Sequence, residues 1–266
     1  MVNVLPKPYS GAYLIALAEC IILLFTIRII QFPDVKEAYV KSVSTSSPMK
    51  TDRSIFVIAR QRTFLIAAFG AFVAWSAMAI QMSATPLAMT AAGHSFSQVT
   101  STVEYHLLGM FAPSFFTGIL CNWVGSRLLI LMGLLAELAG TLLFQLGFRI
   151  SHFNLGLIII GVGWNLGYVG ASALLTKSHR PEEKTKTHSL YEAIVMISLL
   201  LSFSSAAIAE QSLGWMVLTG RLVTIYLAIS VSILVIDTTF VFYKTRDLRT
   251  EIPVNDKEVT PAELTT

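Results

Sequence analysis

Seven apolar runs, each close to the ~20 residues that a helix needs to cross a bilayer, constrain this 266-residue chain more than any other feature. They cover residues 11–30, 63–89, 102–120, 128–148, 154–176, 189–209 and 215–236. In hydrocarbon a backbone must satisfy its own hydrogen bonds, and runs this long without strict alternation cannot be barrel strands. An all-α polytopic membrane protein with seven transmembrane helices is the fold class that remains. Composition agrees: 54% of residues are apolar and 13% charged, where a soluble domain carries about 25% charged. Cys20 and Cys121 fall at different depths and read as ordinary small residues rather than a disulfide or a metal cluster.

Basic residues in the connections predict the orientation. The 31–62 segment carries six Lys and Arg, Arg127 follows the third run, and the 177–188 loop and the tail carry four each; the other side has Lys7 and Arg149 alone. The positive-inside rule then puts the C-terminus in the cytoplasm and the N-terminus outside, in the cell membrane. Trp123 and Trp215 fall at span ends, where indoles favour the interface. The organisation expected is an outward N-terminus and one isolated helix (1–30), a polar cytoplasmic linker (31–62), a six-helix unit (63–236) and a cytoplasmic tail (237–266), largely disordered after about 244. Glu19 stands where a signal or lipidation site needs a small residue, so the first run is retained as a helix. An outward N-terminus with no preceding topogenic helix suits a piece of a longer chain.

Charged residues inside spans are costly unless paired, hydrated or able to snorkel. Arg28 lies near the cytoplasmic surface and can snorkel. Glu137 sits near the midplane, and Arg221, about two turns below the outer surface, reaches the same depth; a structural ion pair between them is expected. On the third span Thr102, His106, Met110, Pro113 and Thr117 share one face, while Glu104 lies opposite with Leu108, Phe111 and Phe115. His106 is therefore the candidate to face a cavity. On the fifth span Gly156, Gly163, Gly167 and Gly170 form a seam for close helix packing, and Asn165, Tyr168 and Ser172 line the reverse face. Interhelical hydrogen bonding is the competing role for Asn165. Pro86 removes a backbone hydrogen bond from the second span, beyond Gln81, and invites a kink near the outer end. On the sixth span Glu192 borders a stripe of Tyr191, Ser198, Ser202 and Ser205.

No nucleotide loop, zinc spacing or nucleophile elbow occurs, so neither an enzyme, nor an ATP-driven pump, nor a nucleic-acid binder is expected, and no cofactor or metal is implied. The partners expected are the lipid bilayer and a small solute.

The connection GILCNWVGSR (118–127) resembles the cytoplasmic loop motif of the major facilitator superfamily (MFS). Gly118, Gly125 and Arg127 fit the pattern, and Asn122 stands in the place of its acid. The stretches MSATPLAM (82–89), GHSF (93–96), HLLGMFAPSFFTG (106–118) and GVGWN (161–165) also resemble one bacterial branch of that family. The resemblance implies that residues 63–236 are the C-terminal six-helix half, a 3+3 inverted-repeat bundle, and that residues 11–30 are the last helix of the N-terminal half, five helices of which are absent. It also implies that the first, second, fourth and fifth helices of the half line a solute pathway. Gln81, His106, Asn165, Tyr168 and Glu192 then become pathway candidates, and Glu137 and Arg221 fall on bracing helices. The function expected is secondary transport of a small solute by an N-terminally truncated or split chain, completed by a separately encoded N-terminal half or by a homo-oligomer. The alternatives are an inactive remnant, a structural membrane subunit, or a seven-helix receptor or pump. The last is disfavoured because residues 215–236 hold no Lys for a retinal Schiff base.

Overall fold

The computed structural model describes residues 10–29 and 53–251, and within them the chain divides into two units, one on each side of Thr51. Most of the expected linker and the end of the tail lie outside the described residues. In the first unit α1 (Ser10–Ile29) is a 20-residue helix on which Leu17, Glu19, Cys20, the apolar residues from Ile21 to Phe25, and Arg28 are exposed.

The second unit is helical throughout its described residues. A short α2 (Ile55–Ala59) precedes α3 (Arg62–Ala91); α4 (Phe96–Phe111), α5 (Ser114–Val124), α6 (Ser126–Leu143), α7 (Ile150–Leu175), α8 (Lys184–Leu213), α9 (Trp215–Val217) and α10 (Thr224–Glu251) follow. Five segments are long and apolar enough to cross a membrane, and α4 with α5, bent by 42°, makes a sixth. The protein is an all-α polytopic membrane protein.

Helix α3 is the hub. Its apolar window is 61% buried, against 22% for those of α8 and α10, and it packs along α7 and α8. The small residues Ala67, Ala71, Ala74 and Ala77 are fully buried on it and let its neighbours approach closely. The tightest pair is α6 with α7. A Cβ on Gly163 would lie 2.7 Å from both Gly133 O and Glu137 N; one on Gly140 would lie 2.7 Å from Gly156 O; and one on Gly170 would lie 3.0 Å from Ile130 N. These helices meet backbone to backbone.

Several segments depart from simple spans. Pro86 stays inside an unbroken α3, whereas Pro113 breaks the next span, because Ala112 and Pro113 interrupt the hydrogen-bond ladder between α4 and α5. The last span is not a uniform α-helix: Leu218–Val223 form a π-helical turn between α9 and α10. Helix α10 then continues to Glu251, past the point near 244 where disorder is expected. Trp215, at the start of the last span, is buried among aromatic rings, with centroids 4.9 Å from Phe144 and 5.8 Å from Phe153. The Pro181–Leu213 segment has 33 residues, ~50 Å of helix against ~30 Å of hydrocarbon, so its first turns project beyond the apolar layer.

Candidate functional site

Three of the polar residues expected to line a pathway are turned into the bundle instead. Gln81 is fully buried: its Nε2 donates to Ala77 O at 3.1 Å, and its Oε1 accepts from Thr141 Oγ1 of α6 at 2.8 Å. His106 is fully buried with Nδ1 2.7 Å from Leu157 O of α7, and its Nε2 has no partner among the described residues. Its face of α4 packs on α7 because Gly109 and Gly161 bring the two backbones together. The opposite face, with Glu104, Leu108, Phe111 and Phe115, is the exposed one.

Asn165 bridges the α4–α5 break. Its Nδ2 donates to Met110 O at 2.8 Å and to Ser114 Oγ at 2.7 Å, and its Oδ1 accepts from Thr117 Oγ1 at 2.6 Å. The missing amide hydrogen of Pro113 and the interrupted ladder leave carbonyls of the last turn of α4 without helical partners. Asn165 supplies a donor to one of them.

Glu137 and Arg221 are not brought together. Glu137 is fully buried, and neither carboxyl oxygen has a hydrogen-bond partner among the described residues. Arg221 is exposed on the π turn, which is anchored from the other side by Gln145 Nε2 donating to Thr219 Oγ1 at 2.8 Å. The expected pairing rested on depth, which does not fix the direction in which either side chain points.

Tyr168 and Glu192 do meet. The Tyr168 hydroxyl donates to Glu192 Oε1 at 3.4 Å, a long bond between two partly exposed side chains. Around them lies an aromatic wall. Tyr168 stacks on Trp164 with centroids 5.6 Å apart and planes 17° apart, and Trp75 meets both edge-on, at 4.7 Å from Trp164 and 5.4 Å from Tyr168. The exposed Phe111 ring extends the wall at 6.3 Å from Trp164. The indole nitrogens of Trp75 and Trp164 are buried without partners among the described residues. Trp164 is itself buried, so the surface presents the partly exposed rings of Trp75 and Tyr168, the exposed Phe111 ring and the Glu192 carboxylate.

At the basic end of the bundle, Gly125 has φ +85°, a backbone state that favours glycine, and by itself joins α5 to α6. Asn122 is exposed, and no atom lies within 4 Å of a Cβ placed on Gly118. Arg127 Nε lies 3.2 Å from Asp237 Oδ2, and Arg62 Nε lies 2.6 Å from Asp237 Oδ1, with the Arg62 guanidinium 4.1 Å from the Phe240 ring centroid. Nearby, Arg53 makes a two-pronged bond to the buried Glu183, which also accepts from the Arg180 amide at 3.0 Å. This holds the Glu183 carboxyl well below the usual carboxylate range.

Sequence reasoning missed Trp75, Trp164 and Asp237. Trp164 and Tyr168 are one turn apart, a legible signal for a shared face, and Asp237 is the first acid after the last apolar run. Trp75 gave no signal, since an indole in an apolar run reads as core.

No family model matches the chain. Three curated transporters do. It is 32% identical over 165 residues to the riboflavin transporter RfnT of Brucella anthropi, covering 62% of this chain and 42% of that protein. It is 27% identical over 150 residues to the MFS-type transporter YddS of Bacillus subtilis, covering 55% of this chain and 34% of that one. A further Bacillus subtilis MFS-type transporter, YdeG, is 29% identical over 119 residues, covering 44% of this chain and 28% of its own. This chain is a homologue of MFS-type transporters. The matches span less than half the length of these MFS-type relatives. The aromatic wall lies on α3, α7 and α8, the first, fourth and fifth spans of the six-helix unit, and its Phe111 edge on the second.

Proposed function

We propose that the six-helix unit is one half of a secondary transporter, and that the wall of Trp75, Trp164, Tyr168 and Glu192 is its solute-facing surface. The observation that carries the reading is the grouping of three aromatic rings and a carboxylate on α3, α7 and α8, while Gln81, His106 and Asn165 are buried against neighbouring helices. Trp75 lies about 20 Å along α3 from Arg62, and Trp164 about 16 Å from the Leu175 end of α7, which puts the wall near mid-membrane depth. A second six-helix bundle, elsewhere in the same polypeptide, on a separate one or in a second copy, supplies the opposite wall, and alternating access moves the solute between them. The charge distribution supports a plasma-membrane protein with the Arg53, Arg127 and Lys177 end in the cytoplasm.

A planar heteroaromatic solute fits this surface, and riboflavin, named for one relative, is the first ligand to test. Titrating riboflavin into the purified chain should quench tryptophan emission saturably. Trp164→Ala and Trp75→Ala should each weaken binding about tenfold, the scale of one lost stacking contact. Saturable binding untouched by both substitutions would move the site elsewhere, and the absence of saturable binding would remove the solute assignment. Uptake into proteoliposomes holding the chain with its complementary half tests transport itself. Uptake that survives Trp75→Ala, Trp164→Ala and Glu192→Gln together would show that the wall is packing.

A further inference from the structure

An open-sided cavity of about 650 Å³ lies at the basic end of the bundle, between α6, the end of α7 and α10. Its polar lining is Ser126, Arg127, Lys177 and Thr238, with Gly125. The rest is apolar and includes Leu128, Leu174, Val241 and Phe242. Three observations concern the polar lining. Arg127 and Lys177 bring two positive charges to the rim, and the acid that meets Arg127, Asp237, is shared between Arg127 and Arg62. The first turn of α6 begins here, with amides that have no helical acceptor, and nothing stands within 4 Å of where a Gly125 Cβ would be, so that backbone is bare to a ligand. The Thr238 hydroxyl oxygen is buried without a partner among the described residues. Positive charge, a helix N-terminus and a spare hydroxyl suit a phosphate group. The apolar wall beside them suits a hydrocarbon chain, and a soluble anion would leave that wall uncovered.

We propose that this cavity holds an anionic phospholipid of the inner leaflet, its phosphate between Arg127, Lys177 and the start of α6 and an acyl chain along Leu128, Leu174 and Phe242. The depth agrees, since the cavity lies at the span ends, where headgroup and acyl region meet. The leaflet assignment rests on the orientation proposed above; lipid retention does not depend on transport, so the two readings fail separately. A lipid seated here ties α10 to α6 and α7 at the end of the bundle that carries the Arg62–Asp237–Arg127 cluster.

The test is retention of lipid by the full chain extracted from nanodiscs of equal phosphatidylglycerol and phosphatidylcholine, read by native mass spectrometry, with thermal unfolding in detergent measured alongside. Phosphatidylglycerol should be retained preferentially. Lys177→Gln, at an exposed position, should weaken that preference about fivefold, the scale of one juxtamembrane charge. Leu128→Trp, which keeps every charge but fills the apolar side, should abolish retention. Equal retention of the two lipids would overturn the proposal and would also be the result if a protein segment occupied the cavity. Retention unaffected by both substitutions would overturn it as well. Protection by millimolar inorganic phosphate equal to that by phosphatidylglycerol would assign the site to a free anion instead.

Discussion

Replacing Asn165 by Ala removes one side chain and three hydrogen bonds, and the structure specifies which losses count. The Thr117 hydroxyl has one proton and a second acceptor, Pro113 O at 2.8 Å, so it turns away at little cost. The Ser114 hydroxyl loses a donor but keeps its own proton. Met110 O is different, because it lies beside the break, is buried, and receives the Asn165 Nδ2 proton at 2.8 Å. An interhelical hydrogen bond in a membrane protein averages ~0.6 kcal/mol, and a buried carbonyl left unsatisfied costs ~1–3 kcal/mol. Asn165→Ala should therefore destabilise the protein by ~2–4 kcal/mol, measured by unfolding in mixed micelles, whereas Ser114→Ala should cost ~0.6 kcal/mol. Asn165→Asp is the sharper test. It keeps the acceptor for Thr117 but can donate nothing when ionised, and it sets a carboxylate against the Met110 carbonyl, so it should be worse than Ala. If Asn165→Ala costs under ~0.5 kcal/mol, or if Asp is tolerated better than Ala, the side chain is not holding the broken span.

Further outcomes follow from single residues. Gly163→Ala forces a methyl against Gly133 O and Glu137 N and should cost at least ~2 kcal/mol; Gly118→Ala, on an open helical face, should be neutral or stabilising by up to ~1 kcal/mol, and equal effects at the two sites would contradict the α6–α7 interface. Because Glu137 has no counter-charge bonded to it among the described residues, Glu137→Gln should preserve or raise the thermal midpoint and Arg221→Gln should leave it unchanged; a matched, non-additive loss in both would establish their ion pair and refute the separation described above. The Glu183 carboxyl is depressed first by its bonds from Arg53 and further by the backbone amides of Arg180 and Arg53, so its contribution is complete above the ordinary carboxylate value of 4.5 and fades as pH falls from there toward the depressed value. Glu183→Gln should accordingly flatten the acid limb of the stability profile below that pH, and an unchanged limb would mean the pair does not contribute.

The same residues show how far a sequence reading carries. Seven apolar runs and the absence of strict alternation were enough for an all-helical membrane bundle, because in lipid the backbone has no other way to satisfy itself. The glycines of the fifth span were legible as a close-packing stripe because they share a face at helical spacing, and the structure sets Gly156, Gly163 and Gly170 against α6. Polar residues were another matter. His106, Gln81 and Asn165 read as cavity residues because polarity in a span suggests water, yet each faces another helix. In a membrane a buried polar group gains as much from a neighbouring backbone as from a pathway, and one sequence does not distinguish the two.

What the sequence alone determined is thus what depends on period and solvent: helices, their approximate ends, the small-residue stripe and the excess of positive charge at one end. Tertiary structure decided what depends on which faces meet. It broke the span at Pro113, where Asn165 bridges the gap, and left the helix around Pro86 continuous; it buried Glu137 and left Arg221 exposed; and it assembled Trp75, Trp164 and Tyr168 from two helices and Asp237 with its arginines from three. Those outcomes come from short-range contacts between residues distant in the chain, whose energies exist only once the helices have packed.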